Sequence, residues 1–410
     1  MKLKKSKHLQ TVNIGQSTVF ADDNTGEWFR LDNTWASILE DFLSLRYEEQ
    51  DFLNAFEDET DKEYFESLLK LMKGKNLLIP LDEKEKSHFR QVYFAVTNNC
   101  NLKCKHCCYD ASSLIEKKPD LTTSAVEYVF DKIIELQPDS IVISGGEPLV
   151  RMDIIELLEY LRIHFKGKII LATNALLFNK NNIKIIYDLV DGFDISIDGV
   201  DEKTCSRIRG QGVFEKVINA INMLKEIGNK HISLSMVDIE KNKKNVDDFI
   251  NLNEELGTEP VVRYFYALGR GADLQKELQQ QNPDYNSQSH TEKIETKEEM
   301  QNYLIANRCG AGTRQILVDY DGRIYPCGML IRDEFCMGNI FEIRNLEEYL
   351  QQYFSFEVLK PWNTEKCKKC KARLFCYNCL GEYDILQQNN AVEESLCCRK
   401  NNIVKIMEAL

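Results

Sequence analysis

The chain has 410 residues, 43% of them hydrophobic, and a formal net charge of −13. That length suits about two to three domains with ordinary apolar cores, and the acidic balance argues against a nucleic-acid partner, which needs a basic footprint. No run of about 18 apolar residues is present to span a membrane. The basic start, Met1-Lys-Leu-Lys-Lys-Ser-Lys-His8, lacks the apolar stretch of a secretory signal and reads as a solvated arm, which predicts a cytoplasmic protein. Fourteen cysteines in a reducing compartment point to metal rather than disulfides.

In chain order, residues 1–88 hold no cysteine. Strands are expected over 11–20 and 27–31, joined by the turn-rich Ala21-Asp-Asp-Asn-Thr-Gly26. Asp32 or Asn33 caps a first helix marked by Trp35, Ile38, Leu39 and Phe42 at helical spacing. Phe52, Leu53 and Phe56 mark a second helix. Tyr64, Phe65, Leu68, Leu69 and Met72 mark a third that stops at Gly74. The charged stretch 81–87 reads as a linker. Residues 89–300 then alternate strand-like runs, at 92–96, 141–144, 168–173, 192–197, 231–237 and 260–266, with amphipathic helical stretches such as 124–136 and 213–227. Such alternation predicts a parallel sheet with right-handed crossovers. The polar segment 272–296 reads as a loop. Residues 301–410 carry nine cysteines and little long periodicity, so metal is expected to organise them.

The run Cys100-Asn-Leu-Lys-Cys104-Lys-His-Cys107 follows the first of these strands. Three thiolates in eight residues can hold three irons of a four-iron cluster and leave one iron open, unlike the paired knuckles of a zinc site. At these residues the chain resembles the radical S-adenosylmethionine (SAM) enzymes. The resemblance implies an α/β fold: a partial (β/α)6 barrel over 89–300 whose [4Fe-4S] cluster binds SAM. Ser144-Gly-Gly-Glu-Pro148, at the end of the second strand, resembles the motif that holds the methionine amino group, through Gly145, Gly146 and Glu147. Asn174, Ser196, Asp198 and Arg209 end later strands on the same face, where barrels keep their chemistry. The family uses such positions for the ribose hydroxyls and the methionine carboxylate, which suits a guanidinium fork. Tyr109 resembles the aromatic that packs near cluster and adenine, and His106 fills a slot that is often aromatic.

The later cysteines, Cys309, Cys327, Cys367, Cys370, Cys376, Cys379 and the pair Cys397-Cys398, resemble the SPASM extension over 301–410, which houses two auxiliary iron–sulfur clusters. Asp319-Tyr-Asp-Gly-Arg-Ile-Tyr-Pro-Cys327 matches its hairpin. By resemblance Cys367, Cys370, Cys376 and either Cys397 or Cys398 ligate the outer cluster. Cys309, Cys327 and Cys379 hold the inner one, whose fourth ligand is Cys336 or an open site and whose nuclearity is four or two irons. Cys376 and Cys379 are two residues apart where the family commonly has three. Cys205 lies outside every motif and reads as a small core residue.

Residues 1–88 resemble the small α+β, winged-helix-like peptide-recognition domain (RRE, PqqD-like) of ribosomal peptide maturases. Such a domain takes a leader peptide as an added strand, here on 27–31 beside the helix 64–72. A fold-stabilising cap or dimerisation domain is the bland alternative. The implied activity is hydrogen abstraction from a precursor peptide by a 5′-deoxyadenosyl radical, leading to a thioether or another side-chain crosslink. The implied partners are that peptide and a flavodoxin- or ferredoxin-type electron donor. Two rivals stand beside it. A formylglycine-forming sulfatase maturase needs an aspartate after the hairpin cysteine, where this chain has Gly328. A non-catalytic peptide-binding or electron-transfer protein would not need the intact triplet and Gly145-Gly-Glu147.

Overall fold

In a computed structural model of the chain, the described residues are 1–22, 27–83, 89–111, 119–239, 243–282 and 309–352, then 365–375, 379–384 without 382, and 400–409, with 296, 298 and 397 singly. They form two compact units. One is drawn from 1–86, 290–310 and 355–410, the other from 87–289 and 311–354.

In the first unit the basic start is a strand rather than a solvated arm. β1 (Leu3–Lys5) pairs antiparallel with β5 (Leu78–Pro80). Leu3 is buried, Lys5 pairs with Glu40, and Lys4 Nζ donates to the Glu83 carbonyl at 2.7 Å. The run expected as one strand over 11–20 is a hairpin, because Gly15 takes a left-handed φ of 60°. β2 (Leu9–Ile14), β3 (Ser17–Asp22) and β4 (Trp28–Asp32) make an antiparallel sheet in that order. Asp32 settles the cap of α1 (Asn33–Ser44), accepting from the Thr34 amide. After α2 (Glu49–Leu53), Asp58 caps α3 (Glu59–Gly74) in the same way. One face of the sheet gives Phe20 and Leu31 to a core with Leu39, Phe42, Phe65 and Met72 of the helices. The other face gives Val12, Ile14, Val19 and Ala21 to a core with Phe375, Ile403 and Met407 near the carboxy end.

In the second unit β6 (Gln91–Thr97), β7 (Ser140–Gly145), β8 (Lys168–Thr173), β9 (Gly192–Ser196), β10 (His231–Asp238) and β11 (Glu259–Tyr264) run parallel in sequence order. The helices between them are α4 (Thr123–Glu135), α5 (Ile154–His164), α6 (Ile183–Leu189), α7 (Glu202–Arg209), α8 (Val213–Ile227) and α9 (Lys243–Leu256). Each buries one apolar stripe: α4 uses Val126, Val129, Phe130 and Ile133, and such side chains stabilise by about 1.5–3 kcal/mol each. α10 (Gly271–Gln281) occupies part of the segment expected as a loop. Leu274 and Leu278, one turn apart, pack with Ile239 and Phe265 and anchor an otherwise polar helix. β12 (Gln315–Val318) adds parallel to β6, and β13 (Ile324–Tyr325) pairs antiparallel with it. The register sets Ala95 beside Ser144, Ile143 beside Leu171 and Ala172 beside Asp194. Asp194 therefore lies level with Ala95 and Ser144, just beneath the strand ends.

Candidate active site

The three cysteines of the triplet lie in the irregular loop after β6, with Cys100 and Cys104 buried and Cys107 half-buried. The first half of this loop is stitched to the ends of β7 and β8. Gly146 and Glu147 donate their amides to the carbonyls of Thr97 and Asn99 at 2.8 and 2.9 Å. A Cβ on Gly145 would stand 2.2 Å from the Thr97 oxygen, and one on Gly146 2.2 Å from that of Asn99. The two glycines are thus required by the backbone of the cysteine loop. Thr97 and Asn99 also share Asp120, at 2.7 and 3.1 Å.

Glu147 is fully buried. Its carboxylate accepts from Thr173 Oγ1 at 2.7 Å, the Asn174 amide at 2.6 Å and the Leu149 amide at 3.1 Å. Burial pushes its pKa above the usual range against those donors. Asn174 then reaches the loop itself: Nδ2 donates to Asn101 at 2.7 Å and lies 3.9 Å from the Cys100 sulfur.

On the far side, Asp198 takes φ 52° after β9 and gathers three partners. Its carboxylate accepts from Arg209 Nε and the Val237 amide, each at 2.6 Å, and contacts His106 Nε2. Burial alone would raise Asp198, but Arg209 and His106 hold it well below the usual carboxylate range. Arg209 Nη1 lies 3.9 Å from the Cys104 sulfur. Burial pushes the Cys100 thiol up to about 11 and raises Cys104, which Arg209 draws the other way. Buried sulfurs beside amide and guanidinium donors are the surroundings that thiolates need, so these residues fit an iron–sulfur cluster. Among the described residues no three ligand-type side chains converge on one metal ion; a cluster distributes its thiolates over separate irons.

Inside the barrel, Ser196 Oγ lies 3.4 Å from Ser235 Oγ, and Arg263 Nη2 meets Asp194 Oδ2 at 2.6 Å. Asp194 Oδ1 is buried without a hydrogen-bond partner. Tyr109 joins Tyr93, Ala95, Leu317, Tyr325 and Cys336 in an apolar group, so the aromatic of the loop packs against the β12–β13 hairpin. Burial raises its hydroxyl well above the ordinary value. A pocket of about 200 Å³ opens between α7, the end of β10 and α10, lined by Lys105, Asp198, Thr204, Met236 and Leu274 among others.

The structure thus brings together Cys100, Cys104, Gly145, Gly146, Glu147, Asn174, Asp198 and Arg209, with Tyr109 and Ser196 alongside. Cys327 and Cys336 are half-buried in this same unit. Cys309, Cys367, Cys370, Cys379 and Cys397 are half-buried in the first unit, and Cys376 and Cys398 lie outside the described residues. Sequence reasoning missed Asp120, the Asp194–Arg263 pair and Arg270, which grips the loop from behind. Gly269-Arg270-Gly271 after a strand, and an acid inside the apolar Gly192-Phe-Asp-Ile-Ser196, were the available signals.

Residues 94–252 match the radical SAM superfamily, and residues 309–371 the SPASM iron–sulfur cluster-binding domain. The mycofactocin maturase MftC of Mycolicibacterium smegmatis is 28% identical over 312 residues, 67% of this chain and 74% of that one. AlbA of Bacillus subtilis, an antilisterial bacteriocin subtilosin biosynthesis protein, is 27% identical over 337 residues, 75% of this chain and 70% of its own. An AdoMet-dependent heme synthase of Methanosarcina barkeri is 26% identical over 344 residues, 75% of this chain and 96% of its own. Streptococcus suis SuiB bound to S-adenosylmethionine shares the fold, with a TM-score of 0.53 at 17% identity over 91% of this chain and 94% of SuiB.

Proposed function

We propose that this radical SAM enzyme, homologous to peptide-modifying maturases, acts on a ribosomally made precursor peptide and installs a thioether or other side-chain crosslink. The observation that carries the reading is the three-stranded sheet of the first unit. Among the described residues β4 is one of its two outer strands, and the one followed directly by α1. Trp35 of α1 and Tyr64 of α3 face each other at 4.6 Å, with Tyr64 exposed. An open strand edge beside an aromatic pair suits a leader peptide that adds as a fourth strand.

In the barrel unit, Cys100, Cys104 and Cys107 would hold the cluster. With SAM bound, that cluster supplies a 5′-deoxyadenosyl radical able to take hydrogen from an unactivated carbon. The chain's own part is placement. Gly145–Glu147 and Asn174 hold the loop from one side, and Asp198 with Arg209 and His106 from the other. The free Oδ1 of Asp194, with the guanidinium of Arg263, offers an acceptor and a donor to a peptide amide just beneath that loop. Auxiliary clusters would be held by Cys309, Cys327 and Cys379, with Cys336 the nearest spare thiol, and by Cys367, Cys370, Cys376 and Cys397 or Cys398. A flavodoxin or ferredoxin would supply electrons in the cytoplasm. The formylglycine reading is disfavoured at Gly328: a Cβ there would lie 3.7 Å from the Tyr109 hydroxyl, so tyrosine stands where that reaction places its base.

The test is anaerobic reconstitution with iron and sulfide, dithionite reduction and chromatography for 5′-deoxyadenosine, with synthetic precursor peptides present and absent. Wild type is expected to form deoxyadenosine and to change the peptide's mass, and Cys104→Ala to do neither. Deoxyadenosine without any altered peptide would sink the maturase reading. No deoxyadenosine from fully loaded protein would favour a binding or electron-carrier role.

A further inference from the structure

We propose that Arg270 is the positioning residue of the cysteine loop, a strap from the end of the sixth barrel strand that sets the main chain at Cys104 and Cys107 and so the competence of the SAM site. The loop has no ladder of its own between Cys100 and Ala111. Its first half hangs on β7 and β8. The second half hangs on the segment after β11. There the chain passes flat against the loop: a Cβ on Gly269 would stand 2.6 Å from the carbonyl oxygens of both Cys107 and Cys108. Gly269 takes a left-handed φ of 52°, so it is glycine on both counts. Gly271 lies at ordinary contact distance from the loop, its Cβ position 3.4 Å from the His106 oxygen.

Arg270 sits between them and spends every edge of its guanidinium on the loop. Nε donates to the Cys104 carbonyl at 2.9 Å, Nη2 to the Ala111 carbonyl at 2.9 Å, and Nη1 meets the Asp110 carboxylate at 2.7 Å. Its backbone amide donates to the Cys107 carbonyl at 3.0 Å. One side chain thus spans the loop from the second cysteine to the residue that closes it. Asp110 itself holds a left-handed φ of 50°, a conformation costly for a residue with a Cβ. Its ion pair with Arg270 and its own amide bond to the Cys107 carbonyl, at 3.3 Å, keep it there. The strap continues into α10, whose Glu277 pairs with Lys105 at 3.1 Å. A planar fork with donors in three directions is needed for this pattern, and a lysine ammonium cannot reproduce it.

The experiment uses the full chain with Arg270→Met, Arg270→Lys and Asp110→Asn, each first checked by thermal melting. In the metal-free proteins, hydrogen exchange at the amides of 104–111 is read. In the reconstituted proteins, iron content, the electron paramagnetic resonance of the reduced cluster with and without SAM, and kcat and KM for SAM are read. Arg270→Met is expected to melt like wild type yet exchange its loop amides faster. It should also lose the SAM-dependent change in the resonance and fall at least tenfold in kcat/KM for SAM, in line with a displacement of about 1 Å at a reacting centre. Arg270→Lys is expected to recover only part of this. Loss of loop iron at an unchanged melting temperature supports the proposal equally. If Arg270→Met does not fold, Asp110→Asn, which weakens one contact and leaves three, is expected to show the same changes in smaller degree. Wild-type exchange, resonance and KM in the folded variants overturn the proposal, and a lowered melting temperature with a wild-type resonance reduces Arg270 to a structural role.

Discussion

In the barrel unit the site is drawn by backbone against backbone, with Gly145, Gly146 and Gly269 lying on the carbonyls of the cysteine loop. In the other unit a small sheet is sandwiched by side chains instead, with its own helices on one face and Phe375, Ile403 and Met407 from far along the chain on the other. The difference follows from size. A six-stranded parallel run buries Ile169, Leu171, Phe193 and Ile195 on the face that its own crossover helices cover with neighbouring sequence. A three-stranded sheet with three helices has enough apolar surface for one covered face, and a small unit, which buries a smaller share of its surface, gains from a second. The missing layer comes from a segment where Cys370 and Cys379 pack at the edge of the shared core. Iron–sulfur ligation of the kind implied by the SPASM match over 309–371 would help such a segment hold its shape. The barrel site should therefore exist before iron arrives, whereas the small sheet should firm up with it.

The sharpest way to break this contrast is one methyl group. Gly145→Ala places a Cβ 2.2 Å from the Thr97 oxygen at a φ of 131° that alanine resists, with only backbone nearby to give way. SAM cleavage is expected to fall at least about a thousandfold, with barrel stability reduced by more than about 3 kcal/mol. Gly210→Ala is the control. Its φ is 111° but nothing lies within 4 Å of the new Cβ, so a loss of about 1–2 kcal/mol and little change in cleavage are expected. Equal damage at the two glycines, in a deoxyadenosine assay with paired urea melts, would show that strain rather than the loop's backbone contact sets the site.

A smaller effect is expected from removing a whole ring in the other unit. Phe375 is fully buried and meets Trp28 edge-on at 5.6 Å, so Phe375→Ala should cost about 3–5 kcal/mol there. Trp28 and Trp35 belong to this unit, and in a background with Trp362 replaced by Phe their emission reports its unfolding alone. The variant is expected to shift that transition, weaken precursor binding about tenfold and leave peptide-free SAM cleavage within about twofold. Chelating the iron should move the tryptophan transition the same way while exchange protection of β7–β9 persists. A tryptophan transition indifferent to both treatments would mean that the sheet stands alone.

How far the sequence could be read divides along the same line. The barrel strands and helices declared themselves, since Lys168–Thr173 is a near-continuous apolar run and Val213–Ile227 a helically periodic one, and their alternation admits one handed topology. The residues around the triplet were legible because they cluster at strand ends. Arg270 was not, for all its partners but Asp110 are carbonyls, and a carbonyl leaves no trace in sequence. Nor was the β2–β3 hairpin, whose turn is marked only by Gly15, at a left-handed φ, within a short polar stretch. The α10 helix hid behind its glutamines because two leucines suffice to dock it. The second layer over the small sheet is a contact between the two ends of the chain, which no local pattern encodes.

The mildest prediction concerns Asp319, which closes the β12–β13 turn and is almost fully buried. Burial, aided by Asp321 and opposed by the Tyr320 amide and Arg323, raises its carboxyl to about 6. In the unfolded chain the group titrates near 4, so between those values the folded protein keeps a proton that the unfolded one has lost. Stability should therefore decline as pH rises through that window, with the full cost present above it. Asp319→Asn removes the titration. In metal-free protein the variant is expected to unfold later in urea than wild type near neutral pH, and to lose that advantage near pH 4. The signal should appear in far-ultraviolet circular dichroism and not in the emission of Trp28 and Trp35, because Asp319 belongs to the other unit. A variant with the wild-type slope against pH would mean that the turn opens enough to solvate the carboxylate. A shift in both signals would mean that the two units unfold as one, and the contrast between a preformed barrel site and a metal-dependent sheet would have to be given up.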